Sequence, residues 1–344
     1  MGPMHIGIAG AGLLGRLLAW RLSGLGHRVT VFDLAHDAQA RGAAGWTAAG
    51  MLSPLAELEC SDAQVATLGL RSLDLWVRIV AQLPLPVDFR RDGSLLLAHA
   101  GDLGSAQRLL ALIAARAPAG LTPEPLSPAQ LRSLEPGLHG AAHAWLLSGE
   151  GQIHTVQAMQ ALAQGASDRG TRWRWSHAVR ELVPGCIDGE RFDHVFDVRG
   201  VGARPDLQVR GVRGEIVWLH VPGLELRRAL RLLHPRSRVY VVPRPGDIVV
   251  VGASEIESED CSPISVRTLL SLLSAAHSIV PQLAEARVVH TETNLRPALP
   301  DNLPRAEARP GLTRINGLFR HGWLIAPALV EDALHGLPIE ESVS

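Results

Sequence analysis

The chain has 344 residues, 47% of them hydrophobic, and 33 basic against 34 acidic residues leave a formal net charge of −1. That length allows one large or two ordinary domains with a real core, the near-neutral charge gives no electrostatic case for nucleic acid, and no apolar run reaches membrane-spanning length. Every basic residue is an arginine, which excludes Schiff-base lysine chemistry, and the three scattered cysteines (Cys60, Cys186, Cys261) form neither a disulfide framework nor a zinc motif, fitting a reducing cytoplasm.

His5-Ile6-Gly7-Ile8-Ala9 reads as a buried strand, not as a signal peptide, because the apolar segment is short and runs into Gly10-Ala11-Gly12-Leu13-Leu14-Gly15. Leu13 to Leu25 reads as a helix, Gly26-His27 as a turn, and Arg28 to Phe32 as a second strand ending on Asp33. This βαβ unit, with an acidic residue about twenty positions past the glycines, is a dinucleotide-binding fingerprint. The glycines admit a pyrophosphate to the helix N-terminus, and the Asp33 carboxylate suits a ribose diol. A small-residue loop, Gly42 to Met51, implies backbone lying close to a ligand.

Asp62 to Leu83 reads as a long helix capped by Ser61-Asp62 and stopped by Pro84. Gly93 to Ala98 is strand-like, Ala106 to Ala115 helical, and Ser127 to Leu134 a short helix with Pro128 at its first position. Ile153 to Ala166 is helical, Trp173 to Trp175 and His177 to Val179 are strand-like, and Asp193 to Val198 resembles a strand returning to the first sheet. Gly211 to Leu219, then a hairpin of Val239 to Val242 and Ile248 to Gly252, read as antiparallel strands. Ser265 to Ala276 is helical, Leu312 to Ile315 a strand, Gly317 to Gly322 a loop, and Ala328 to Leu334 a final helix. His139 and His143 have metal-like i, i+4 spacing, but the intervening Gly140 and the lack of a third ligand argue against a site. The Trp/Arg alternation at 172–175 does not support nucleic acid at this net charge.

Five stretches together resemble the D-amino-acid oxidase superfamily of FAD-dependent amine oxidoreductases, and most of all glycine oxidases of the thiamine-biosynthesis type. They are Gly10 to Gly15 with Asp33; Thr47 to Pro54; Leu134 to Leu138; Val239 to Arg244 with Val251 to Ser254; and Asn294 to Asp301 continuing into Gly317 to Pro327. The resemblance implies an α/β fold. An FAD-binding Rossmann-like domain of glutathione-reductase type (residues 1–80, 140–205 and 295–344) would carry an inserted antiparallel-sheet α+β substrate domain (81–139 and 206–294). It implies non-covalent FAD, rather than NAD, against Gly10, Gly12, Leu13, Leu14, Gly15, Asp33, Leu34, Ala44, Gly45, Ala49, Gly50, Met51 and Val179. The same FAD would meet Leu318, Phe319, Arg320, His321, Gly322, Trp323 and Leu324 before the closing helix. Cys60 and Cys261 lie in no motif for a covalent flavin tether.

By the same resemblance, Arg296 binds the substrate carboxylate, Tyr240 hydrogen-bonds it from the sheet, and Arg320 touches substrate and flavin. The arginine fork suits a carboxylate. The implied reaction is hydride transfer from glycine or another small amino acid to flavin N5, giving an imine, then oxo acid, ammonia and H2O2, with O2 as oxidant. A D-amino-acid or N-methyl-amino-acid dehydrogenase using a quinone or partner protein, and a non-catalytic flavoprotein, stay open, as does homo-oligomer formation. Leu318, His321 and Trp323 depart from the family pattern.

Overall fold

The computed structural model describes residues 2–59, 61–118, 121–234 and 237–335; Cys60 lies outside the described residues. In chain order its main elements begin β1 (His5–Ala9), α1 (Leu13–Gly24), β2 (Arg28–Phe32), α2 (Ala63–Gln82), β3 (Ser94–Ala98), β4 (Glu124–Leu126) and β5 (His143–Leu147). There follow α3 (Thr155–Asp168), β6 (Arg172–Arg174), β7 (His194–Asp197), β8 (Arg210–His220), β9 (Ala229–His234), β10 (Ser237–Arg244) and β11 (Ile248–Gly252). The chain closes with α4 (Val266–Ile279), β12 (Arg287–Ala298), β13 (Arg305–Arg309), β14 (Leu312–Asn316) and α5 (Gly322–His335).

A six-stranded sheet has the order β13-β14-β7-β1-β2-β6, parallel except for the edge strand β13. Parallel sheets need both faces covered. Here Leu17, Leu18 and Leu22 of α1, Leu162 of α3 and Leu329 of α5 join Ile6 and Ile8 in one core. An eight-stranded sheet, β12-β8-β11-β10-β9-β3-β5-β4, is antiparallel apart from the β9–β3 pair. Residues alternate across its faces. Val217, Val239, Val241, Val249 and Val251 pack in the core to which Leu272 and Ala276 of α4 belong, while Ile216, Val242 and Val250 share the opposite face with Tyr240 and Ala49. His143–Leu147 pairs with β3 of this second sheet, although it falls past residue 140, where the sequence reading resumes the nucleotide-binding part. No helix among the described residues is long and apolar enough to cross a membrane.

Two expectations are corrected. His177–Val179 is not a strand: Ser176, at φ 55°, turns the chain just after β6. Arg296 and Pro297 lie within β12, a strand the sequence reading did not include, and Pro297 is tolerated because β12 is a sheet edge. The last helix starts at Gly322, six residues before the expected Ala328, with Pro327 inside it. A proline frees the carbonyl four residues earlier; that carbonyl, of Trp323, accepts a hydrogen bond from Trp76 Nε1 at 2.9 Å, so the helix continues through the proline.

His194 is buried on β7 against Thr313 Oγ1 at 2.9 Å, and burial pushes its imidazole down to about 4. Its neutral form is the folded one, so its contribution is complete above pH 6.5, the ordinary value, and is lost as pH falls toward 4. Urea midpoints at pH 7.5 and 5 should fall more for the wild type than for His194→Gln; equal falls would contradict this.

Candidate active site

A cavity of about 940 Å³ runs between the two sheets, from Gly10 and Asp33 at one end to Tyr240, Arg296 and Arg320 at the other. Of the residues named above for cofactor or substrate, all line it except Gly15. Gly15 acts by packing: a Cβ there would sit 1.8 Å from the Gly10 carbonyl oxygen, so the helix can approach the strand only with glycine. Gly10 itself has φ 106°, open to glycine.

At the first end, helix α1 starts after Gly12 with no side-chain cap and no acidic residue in its first turn, leaving backbone N–H groups for an anion. The Asp33 carboxylate accepts from Ala11 N at 2.5 Å and Ala35 N at 2.8 Å, which aims it along the cavity wall. His177 N and Ser176 N donate to the backbone of Asp33 and Ala35, bringing Val179 to the same wall. Arg16, unmarked by any motif, is fully buried. Its guanidinium donates to the carbonyls of Ala11, Met159 and Ala38 at 2.8 to 2.9 Å and lies 5.0 Å from the Trp46 ring. Burial lowers its pKa to about 10.

In the middle, the Ala49-Gly50-Met51 segment is held by Arg244 of β10, which donates to the carbonyls of Ala49 and Ile153. Gly50 takes φ 70° with the Ile153 carbonyl against it. Trp323 departs from the family pattern without filling the cavity. Its indole stacks on Trp76 at 5.4 Å and its Nε1 donates to Gly45 O, so it is drawn into the core beside the start of α5. That start, at Gly322, also lines the cavity and turns partial positive charge toward it.

At the far end, Tyr240 and Arg296 each lie flat on the sheet above a glycine. A Cβ on Gly252 would be 2.6 Å from the Tyr240 hydroxyl oxygen, and one on Gly214 would be 2.4 Å from Arg296 Cζ. Arg296 Nη1 donates to the carbonyls of Ser254 (3.0 Å) and Arg213 (3.3 Å). Burial pushes its pKa down and pushes the Tyr240 hydroxyl up. Arg320 is different: it pairs with Glu57 (3.1 Å) and Glu255 (3.2 Å). Glu57 also lies 3.2 Å from Arg231 and 3.3 Å from His321 Nδ1. Burial raises its pKa, but Arg320, His321 and Arg231 outweigh that and hold the carboxyl well below the carboxylate range.

Sequence reasoning missed Glu57, Glu255 and Arg231. A lone arginine in the apolar strand Ala229-Leu230-Arg231-Leu232-Leu233 was the available signal. It also missed Glu150. This carboxylate accepts from Leu55 N (3.0 Å), Ala56 N (2.8 Å) and Ser94 Oγ (2.5 Å), and so anchors the turn that carries Glu57. Cys261 lines the cavity with its thiol near the Glu259 carbonyl.

A model of the FAD dependent oxidoreductase family (DAO) matches residues 5–332, and the chain belongs to that family. It is 38% identical to a Rhizobium etli protein named as a thiamine biosynthesis oxidoreductase, ThiO, over 98% of both chains. It is 25% identical to the glycine oxidase of Geobacillus kaustophilus over 94% of this chain and 89% of that one. The crystal structure of that glycine oxidase superposes with a TM-score of 0.83 over 99% of this chain and 98% of that one, at 22% identity. Iminodiacetate oxidase of Chelativorans sp. BNC1 gives 0.83 over 97% and 96%, at 25% identity. The cofactor of this oxidoreductase is FAD, and the uncapped α1 start and the glycine-walled cavity fit it.

Two outcomes follow from the geometry. Gly252→Ala should lift Tyr240 off the sheet and weaken binding of acetate, read from the flavin spectrum, by about tenfold with FAD retained; an unchanged affinity would contradict the cradle. The second concerns Glu150, whose carboxyl burial pushes up from 4.5 to about 6. It costs nothing well below pH 4.5 and opposes folding as pH rises through 6, so the wild type should lose about 2 kcal/mol relative to Glu150→Gln between about pH 3.5 and 7, measured by urea denaturation. A constant difference across that window would count against it.

Proposed function

We propose that this FAD dependent oxidoreductase oxidises the amine of glycine or another small amino acid, as a ThiO-type glycine oxidase serving thiamine biosynthesis. The overall change is amino acid, O2 and water to oxo acid, ammonia and H2O2. The observation that carries the reading is Arg296. Its half-buried guanidinium is held by two backbone carbonyls through one nitrogen, with no carboxylate at ion-pairing distance among the described residues, and it lines the cavity beside Tyr240. A guanidinium so placed keeps its planar fork for an incoming carboxylate in a low-dielectric site. The name of the Geobacillus kaustophilus relative, glycine oxidase, supports the same choice of substrate, and that of the Rhizobium etli relative supports the thiamine-biosynthesis role.

FAD, when bound, supplies the acceptor for the hydride that leaves the substrate α-carbon. The residues of the chain do the rest by position. Arg296 and Tyr240 take the two carboxylate oxygens, and a Tyr240 hydroxyl whose pKa is raised by burial stays a donor. Arg320, neutralised by Glu57 and Glu255, closes the side of the site next to the α5 N-terminus. The surrounding apolar walls exclude water and strengthen each of these contacts. No side chain is required to act as a strong acid or base.

The lysine-free sequence favours one second reading, a dehydrogenase, since no ammonium is present to assist oxygen. Stopped-flow reoxidation in air separates the two: fast reoxidation marks the oxidase.

The yellow protein should bleach anaerobically with glycine, sarcosine or a small D-amino acid, and bleaching with none of them sinks the proposal. Arg296→Met should raise KM on the order of 100-fold, as expected when about 3 kcal/mol of charge pairing is lost.

A further inference from the structure

Strand β8 presents Arg213 and Glu215 on one face and Gly214 on the other, as strand alternation requires. Gly214 is the floor under Arg296. On the reverse face, Arg213 and Glu215 form an ion pair at 2.6 Å with side chains 5% and 0% exposed, a buried charge pair to which the reaction described above assigns no task. Its other hydrogen bonds lead mainly to one neighbouring segment, 254–265, with Thr268 in the first turn of α4 also bonded to Glu215. Arg213 donates to the carbonyls of Asp260 (2.5 Å) and Pro263 (3.0 Å), and the Glu215 carboxylate accepts from Ser265 N (3.3 Å). The backbone repeats the pattern: Ser254 Oγ accepts from Glu215 N, and Arg213 and Ile256 exchange N–H to carbonyl bonds in both directions.

That segment supplies half of the Arg296 socket. One carbonyl holding Arg296 Nη1 belongs to Ser254 and the other to Arg213 itself. Glu255, next along, pairs with Arg320. Residues 255–257 and 259–263 are exposed, and the other side-chain ties of the segment are surface contacts, Glu257 with Arg210 and Glu259 with Arg204 and Gly211 N, which fix it less firmly than a buried pair. We propose that the buried Arg213–Glu215 pair is a positioning device, a clamp that holds the 254–265 strap against β8 and thereby sets the direction of Arg296 toward the substrate carboxylate and, through Glu255, the place of Arg320 beside it. The inference rests on the carboxylate-binding role proposed for Arg296. A buried pair of this kind adds little net stability over an apolar replacement. It adds geometric definition, which a site that works by orientation needs.

The test uses FAD-loaded Arg213→Met, Glu215→Gln and the double variant. Each should raise the Kd for acetate, read from the flavin absorbance change, and the KM for glycine by about tenfold, with kcat at saturation and FAD content within about twofold. The double variant should match the single ones, because the two residues form one device. An unchanged acetate Kd in an FAD-replete variant overturns the proposal, as does a loss confined to kcat. If the ion-pair variants do not fold, Ser254→Ala removes the hydroxyl ties to Glu215 N and to its carboxylate and keeps the carbonyl; it should raise the acetate Kd about threefold with FAD retained, and no change overturns the proposal. A wild type that binds acetate but is reduced by no amino acid defeats the substrate reading alone, since the acetate comparison still decides the clamp.

Discussion

The guanidinium of Arg244 joins the two halves of the molecule. It starts on β10 of the antiparallel sheet and ends on the carbonyls of Ala49 and Ile153, which belong to the segments packed around the nucleotide-binding sheet. Charge-assisted bonds in a buried, low-dielectric position are strong and directional. Burial pushes this arginine down to about 10, which leaves it charged at any physiological pH. Four residues earlier on the same strand stands Tyr240. The wall formed by Ala49, Gly50 and Met51 and the wall formed by Tyr240 are therefore tied together by this side chain, by the turn at Gly50 (φ 70°) and by the apolar cluster in which Ala49, Met51 and Tyr240 pack.

A lysine-free chain uses arginine in two ways. Arg16 and Arg244, which are buried, and Arg296, which is half-buried, are held by backbone carbonyls, which bind donors and leave the full charge in place. Arg320, Arg231 and Arg213 are matched by carboxylates, so their charge is cancelled locally. The planar fork makes both uses possible, since its five donors can be divided between partners. The carbonyl-held class serves wherever a net positive field is wanted: behind the first glycine loop, between the sheets and at the proposed carboxylate site. The carboxylate-matched class defines shape beside it.

The first third of the nucleotide-binding half was legible as sequence. β1, the glycine turn, α1 and β2 are contiguous, and their pattern follows from local periodicity and from the backbone freedom of Gly10. The hairpin of β10 and β11 and the long helix with its Asp62 cap were legible for the same reason. β9, β12 and the early start of α5 were not. β12 mixes charged residues with a proline and depends on β8 for its pairing, and Pro327 reads as a stop unless the indole of Trp76 is known to meet the freed carbonyl.

The sequence by itself determined the dinucleotide motif, the cofactor class through the combination of five stretches, and those lining residues of the cavity that fall within them, because these are carried by short contiguous segments. Only the tertiary structure decided that Glu57 meets Arg320 across 263 positions and Arg231 across 174. It likewise decided that Gly214 and Gly252 are floors for Arg296 and Tyr240 rather than weak points in strands, and that Arg213 and Glu215 pair on the reverse face of β8. The physical reason is the same in each case. A charge–charge contact or a close van der Waals approach depends on distance in space, and spatial distance between remote segments is set by how the sheets pack, which no local propensity encodes.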